Sequence, residues 1–201
     1  MDELFPVRLQ NPIRSEVAEQ ARYQLYREDL RRDFLQACGY CGDSDVRVDR
    51  IAFHIDHFAP QKKFPDLERS YLNLVYACRF CNVSKSDKWV GQDAAVPNDG
   101  AQGFVDPCSD DYEAHVGRHP SGQIVGRTPL GSYSVDKLNL GLLRHQLLWQ
   151  ARRVRALRDE VDELLDAAEA SGVEMAETFA LLARFRELTH LIDDYEFRAV
   201  A

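Results

Sequence analysis

The sequence predicts an α+β fold: a small zinc-stabilised core set among helices, with a helical hairpin at the C-terminal end. Three observations carry this expectation. Cys38 and Cys41 stand two residues apart, as do Cys78 and Cys81, and two such pairs can surround one zinc ion with four thiolates. Val46, Val48 and Ile51 alternate with charged residues, which is the period of a strand. Further on, Leu147, Val154, Leu157, Val161 and Leu164 recur at steps of three, four or seven, which is the period of a helix.

Taken in order, residues 1–37 form a lead-in and a helix. Pro6 and Pro12 make the first part irregular, and Ser15 can cap a helix running to about residue 36, with Val17, Ala21 and Leu25 along one face. Residues 38–90 are the core. A short hairpin over 46–55 leads into Phe-His-Ile-Asp-His, Pro60 stops the strand, residues 61–71 are a polar loop, and a helix follows from Cys81 to about residue 90. Residues 91–133 are a loop and hairpin extension, rich in Gly, Asp and Asn at its start. Residues 134–201 are the helical hairpin: one helix over about 134–169, a break at Ser171-Gly172, and a second helix with Leu181, Phe185, Leu188, Ile192 and Tyr195 on one face.

The competing reading of the four cysteines is a pair of disulfides, which cysteines two residues apart rarely form outside redox motifs. Cys108 is left over and reads as a buried thiol. With 201 residues and 45% apolar content the chain can bury a core. It has no apolar run near the length of a membrane span and no charged-then-apolar leader, so a cytoplasmic protein without a membrane partner is expected. The net charge of −8 argues against a nucleic-acid binder until its distribution is read. Residues 38–90 carry +1 and the remainder −9, so the core is spared the acidity. No phosphate-cradling glycine loop and no nucleophile elbow is present.

Between the cysteine pairs, Asp56 is a hard oxygen ligand suited to magnesium or manganese, and His57 beside it is the side chain type that accepts a proton near neutrality. Asn82 directly follows the second pair, where its amide oxygen can join Asp56 at a metal. His54 shares a strand face with Asp56 and reads as a surface residue or a second contact. Asn73 stands just before Leu-Val-Tyr and can brace a turn. Asp106, Asp110 and Asp111 read as an acidic turn. Arg152, Arg153, Arg155 and Arg158 read as a solvated helix face, with DNA contact as the other reading.

At these residues the chain resembles the zinc-bearing HNH endonucleases, over Cys38 to Lys88. The resemblance implies a treble-clef-like ββα-metal nuclease core. It implies His57 as general base, Asn73 as the central brace, Asp56 as metal ligand and Asn82 in the place of the last histidine, an HNN-type variant. Asn82 suits an oxygen-preferring magnesium or manganese ion, while Cys38, Cys41, Cys78 and Cys81 would hold a structural zinc. Lys62, Lys63, Arg79, Lys85 and Lys88 are the candidate phosphate contacts, with a solvated face as the alternative for Lys85 and Lys88. Two function classes follow: a metal-dependent endonuclease cutting DNA (RNA fits the same site), in phage defence or restriction, or a zinc-stabilised adaptor that binds without cutting. The acidic remainder points to a recruiting partner such as an ATPase, and the leucine-rich tail to a homodimer.

Overall fold

Phe53–His57 (β1) and Leu74–Cys78 (β2) pair antiparallel, with Phe53 opposite Cys78 and His57 opposite Leu74. In the computed structural model, which describes residues 3–46, 52–171 and 175–200, this pair is the centre of the first of two compact units, Met1–Leu142. All five residues of β2 are buried. Helix α1 (Arg27–Asp33) packs on β2, and helix α2 (Arg79–Lys85) starts at the residue after β2 and folds back on both strands. Tyr26, Leu30, Phe34, Tyr40, Phe53 and Tyr76 fill the space between them, with Phe53 and Tyr76 stacked at 5.1 Å. Of the hairpin expected over 46–55, the described part is a strand from Phe53, and it pairs with 74–78. Val48 and Ile51 lie outside the described residues.

Helix α1 is much shorter than the helix expected over 15–36, and a single 3-10 turn, Tyr23–Tyr26, precedes it. Ser15 does not cap its own helix. Its N–H and hydroxyl both donate to Asp33 Oδ2 (2.6 and 2.8 Å), which draws the segment alongside α1 instead of into it, and Leu25 on the expected apolar face is exposed. Two arginines, Arg8 buried and Arg14 half-buried, fix the rest of the lead-in. Arg8 donates to the carbonyls of Gly39 and Pro107, and Arg14 donates to Leu74 O and pairs with Asp106. Sequence pattern places arginine on surfaces, so this use of the chain start had no signal.

After α2 the chain turns at Ser86, whose φ of 49° ends the helix before the expected boundary near 90. Residues 91–142 return to the core. Tyr112–His115 (α3), the antiparallel pair Val116–Arg118 (β3) and Ile124–Gly126 (β4), and Pro129–Lys137 (α4) make up this extension. Gly131 is required here, because a Cβ would stand 1.7 Å from His115 O. Thr128 caps α4 and Pro129 opens it, while Asn139 at φ 55° breaks the chain. The long helix therefore begins at Leu143 and not near 134.

The second unit, Leu143–Ala201, is the hairpin of α5 (Leu143–Ser171) and α6 (Met175–Val200). The two pack along each other with Leu165, Ala168, Leu188 and Ile192 buried and an Arg155–Glu196 ion pair across the seam. Among the described residues no helix is long and apolar enough to cross a membrane.

Candidate functional site

The cysteine cluster follows from three turns of chain. Leu35 and Gln36 take left-handed φ values of 56° and 60°, which swing the chain off α1 into the loop bearing Cys38 and Cys41. Within that loop Gly42 N–H donates to Cys38 O (2.9 Å) and Gly39 N–H to Tyr76 O (2.9 Å), and Gly42 at φ 72° closes the turn. Cys78 ends β2, and Cys81 lies in the first turn of α2. All four thiols are buried, unbridged and have their sulfurs within 4.8 Å of one another. Cys41 Sγ and Cys78 Sγ are 3.8 Å apart, and a tetrahedron with zinc–sulfur bonds of about 2.3 Å has edges of about 3.8 Å. The donor set fits zinc.

Without an ion between them the four sulfurs resist ionising together. Burial pushes the Cys41 and Cys81 thiols well above their ordinary range. At Cys38 burial acts in the same sense but is outweighed by hydrogen bonds from the other three cysteines, which hold the thiol well below that range. Thiolates so crowded and dry need a cation between them. The surrounding chain is stiffened for that purpose. Arg118 donates to Cys41 O (2.8 Å), Tyr112 donates through its hydroxyl to Tyr40 O (2.7 Å), and Asp45 accepts from Tyr76 (2.6 Å) and Arg31 (2.6 Å). The extension after the core thus acts as a clamp on the first knuckle.

His57 ends β1 half-buried. Its Nε2 lies 2.9 Å from Glu68 O, an atom that only accepts, so Nε2 carries the proton and the Nδ1 lone pair is left to take another. The Tyr23 ring stands edge-on at 4.7 Å and fixes the imidazole plane. Asn73 clamps the turn that follows. Its Oδ1 accepts from Ala59 N–H (2.8 Å), its Nδ2 donates to Ala59 O (3.0 Å), and its own carbonyl accepts from Phe58 N–H (2.8 Å).

Asp56 and Asn82 were expected as a pair of magnesium ligands, and each has a protein partner here. Asp56 is 5% exposed, accepts from Tyr40 Oη at 2.6 Å and lies 3.2 Å from Lys85 Nζ. Lys85 itself is 0% exposed and also donates to His57 O at 2.8 Å. Burial raises the Asp56 pKa, opposed first by the Lys85 charge. Asn82 meets His54 instead: its Nδ2 is 3.1 Å from His54 Nδ1. Burial, and then the charges of Arg27 and Arg79, lower the His54 pKa and favour the neutral imidazole.

The candidate phosphate contacts divide. Lys85 is a correction: a buried ammonium spent on Asp56 and His57 O cannot reach a phosphate. Arg79 is exposed at the start of α2, Lys62 pairs loosely with Asp87 at 3.2 Å, Lys63 donates to Gly91 O, and Lys88 is exposed. Tyr23 and Glu68 belong to the site through contacts that no pattern in the sequence announced, as does Tyr40 through a contact that was only hinted at. Tyr40 alone carried a hint, lying between the cysteines of the first knuckle.

The HNH endonuclease family model matches residues 38–88, the span from the first zinc-knuckle cysteine to the end of the turn after α2. Neither the comparison with curated proteins nor that with solved structures gave a match. Residues 38–88, the segment that holds both the four-cysteine cluster and His57, are thus similar to the HNH endonuclease domain.

Proposed function

We propose that this chain is an endonuclease that hydrolyses DNA phosphodiester bonds, with His57 as general base. The observation that supports this most is the orientation of His57: Nε2–H is tied to Glu68 O, and Nδ1 is left on a half-open strand end inside an HNH domain. In the proposed reaction Nδ1 takes the proton of the attacking water, and the Glu68 carbonyl stabilises the imidazolium that results. Asn73 keeps the strand end in place by clamping Ala59, and the Lys85 bond to the His57 carbonyl does so from the other side. A divalent ion, magnesium or manganese, would neutralise charge on the phosphoryl and leaving oxygens. Zinc in a closed four-thiolate site would support the fold and take no part in chemistry.

Arg79, Lys62, Lys63 and Lys88 would hold the backbone of the nucleic acid. The −9 carried outside residues 38–90 opposes that binding. A partner that recruits DNA, such as an ATPase, in a defence or restriction role against foreign DNA is therefore part of the reading. Leu157, Leu164, Phe179 and Leu182 are exposed on the helical hairpin and would serve a partner or a second copy of the chain. The test is cleavage of supercoiled plasmid, linear DNA and RNA by the zinc-loaded full chain, with and without magnesium or manganese. Metal-dependent nicking or linearisation is expected. Intact substrates under all conditions, with DNA still bound, would replace this reading with that of a non-catalytic adaptor.

A further inference from the structure

The face of α6 turned away from α5 carries an apolar stripe that the hairpin itself does not cover. Phe179, Leu182, Phe197 and Val200 are between 47% and 72% exposed. Phe179 and Phe197 are about five turns apart and so lie on one line along the helix, as do Leu182 and Val200. Leu188, buried at the seam with α5, stands midway between the two phenylalanines and on the opposite side of the helix.

Two charges interrupt the stripe. Their neighbours are engaged within the hairpin: Arg184 pairs with Glu187, Arg198 with Asp194, and Glu196 with Arg155. Arg186 and Asp193 are exposed and have no ion-pair partner among the described residues.

We propose that this stripe pairs with itself in a second copy of the chain, α6 running antiparallel to the partner's α6 about a two-fold axis level with Thr189 and His190. In that register Phe179 stands level with the partner's Val200, Leu182 with the partner's Phe197, and Arg186 with the partner's Asp193, and symmetry repeats each match. The same charges oppose the arrangements that compete with it. A parallel pair sets Arg186 against the partner's Arg186 and Asp193 against the partner's Asp193. Sliding the antiparallel pair by two turns, about seven residues, keeps the stripes together, but brings the two arginines level in one direction and the two aspartates level in the other. Apolar burial supplies the attraction, and the charges select orientation and register. This deepens the reading of the exposed hairpin residues given above, and on the nuclease reading it brings two His57 sites to one particle.

The experiment is the mass of the zinc-loaded full chain by sedimentation across a concentration series. The parent is expected as a dimer in exchange with monomer. Replacing Phe179 and Phe197 together by Ser should raise the dissociation constant about tenfold or more, with helix content unchanged because both rings are exposed. Arg186→Asp alone and Asp193→Arg alone should each weaken self-association about tenfold or more, since like charges then face each other. An equimolar mixture of these two variants should form a heterodimer within about threefold of the parent's affinity, because every charge again meets its opposite. A parent that stays monomeric up to about 100 μM would overturn the proposal and leave the stripe to a different protein. Single-charge variants that dimerise like the parent would overturn it too, as would a mixture no tighter than its components or far tighter than the parent. The readout is mass and not cleavage, so failure here leaves the nuclease reading untouched, and a dimer that cuts nothing leaves the pairing standing.

Discussion

Replacing Lys85 by Met removes the ammonium and keeps most of the volume. What remains is a carboxylate at 5% exposure whose sole close partner among those described would be the Tyr40 hydroxyl at 2.6 Å. Breaking a buried pair from one side costs about 3–5 kcal/mol, because the surviving charge stays desolvated. Asp56→Asn in the same chain removes that charge, so the double variant should return to within about 2 kcal/mol of the parent. The pH dependence gives a second handle. Burial raises the folded-state pKa of Asp56, so the folded chain holds this proton more firmly than the unfolded one, and the group's contribution to stability is greatest at acid pH and falls as pH rises. Removing Lys85 takes away the largest influence opposing that rise. The Lys85→Met penalty should therefore be larger at about pH 8 than at about pH 5.5. Urea unfolding of zinc-loaded protein at both pH values reads all three quantities. A penalty below about 1 kcal/mol, equal at both pH values and not relieved by Asp56→Asn, would refute the pairing.

Three further outcomes are expected. The parent should contain one zinc per chain, and Cys41→Ser or Cys81→Ser should lose the metal and unfold the core, since ion binding and folding are one event in such modules; elemental analysis with circular dichroism checks it. Asn73→Ala leaves Ala59 N–H and Ala59 O without their partner, so it should cost about 1–3 kcal/mol and lower kcat more than KM in a plasmid assay. Charge-neutralising Lys62, Lys63 and Lys88 together should weaken DNA binding and flatten its salt dependence, the slope dropping by about 0.9 for each phosphate no longer neutralised, measured by fluorescence anisotropy across salt concentrations.

The four-cysteine cluster was legible because two pairs of that spacing come to one point once the antiparallel strands β1 and β2 lie between them. Asn73 was legible too, since an amide at a strand entrance can bond both backbone groups of a neighbouring turn, as it does at Ala59. What the pattern hid was burial of charge. A lysine on a seven-residue helix reads as solvated, and nothing in the order of residues says that Asp56 and Tyr40 will enclose Lys85. The same blindness lengthened the N-terminal helix: Ser15 looks like a cap, but its partner Asp33 lies eighteen residues on. It also merged two helices into one, because helical periodicity runs through 134–142 while the break at Asn139 depends on a single left-handed residue.

The central claim is that His57 is the proton acceptor in phosphodiester hydrolysis, and cleavage by His57→Ala tests it most directly. Zinc content and melting temperature of the variant should match the parent, since the imidazole is half-exposed and, among the described residues, its ring hydrogen bond is to Glu68 O. Under saturating divalent ion the account predicts a loss of about a hundredfold or more in single-turnover cleavage, with DNA binding retained. Cleavage by His57→Ala at the parent rate would contradict it.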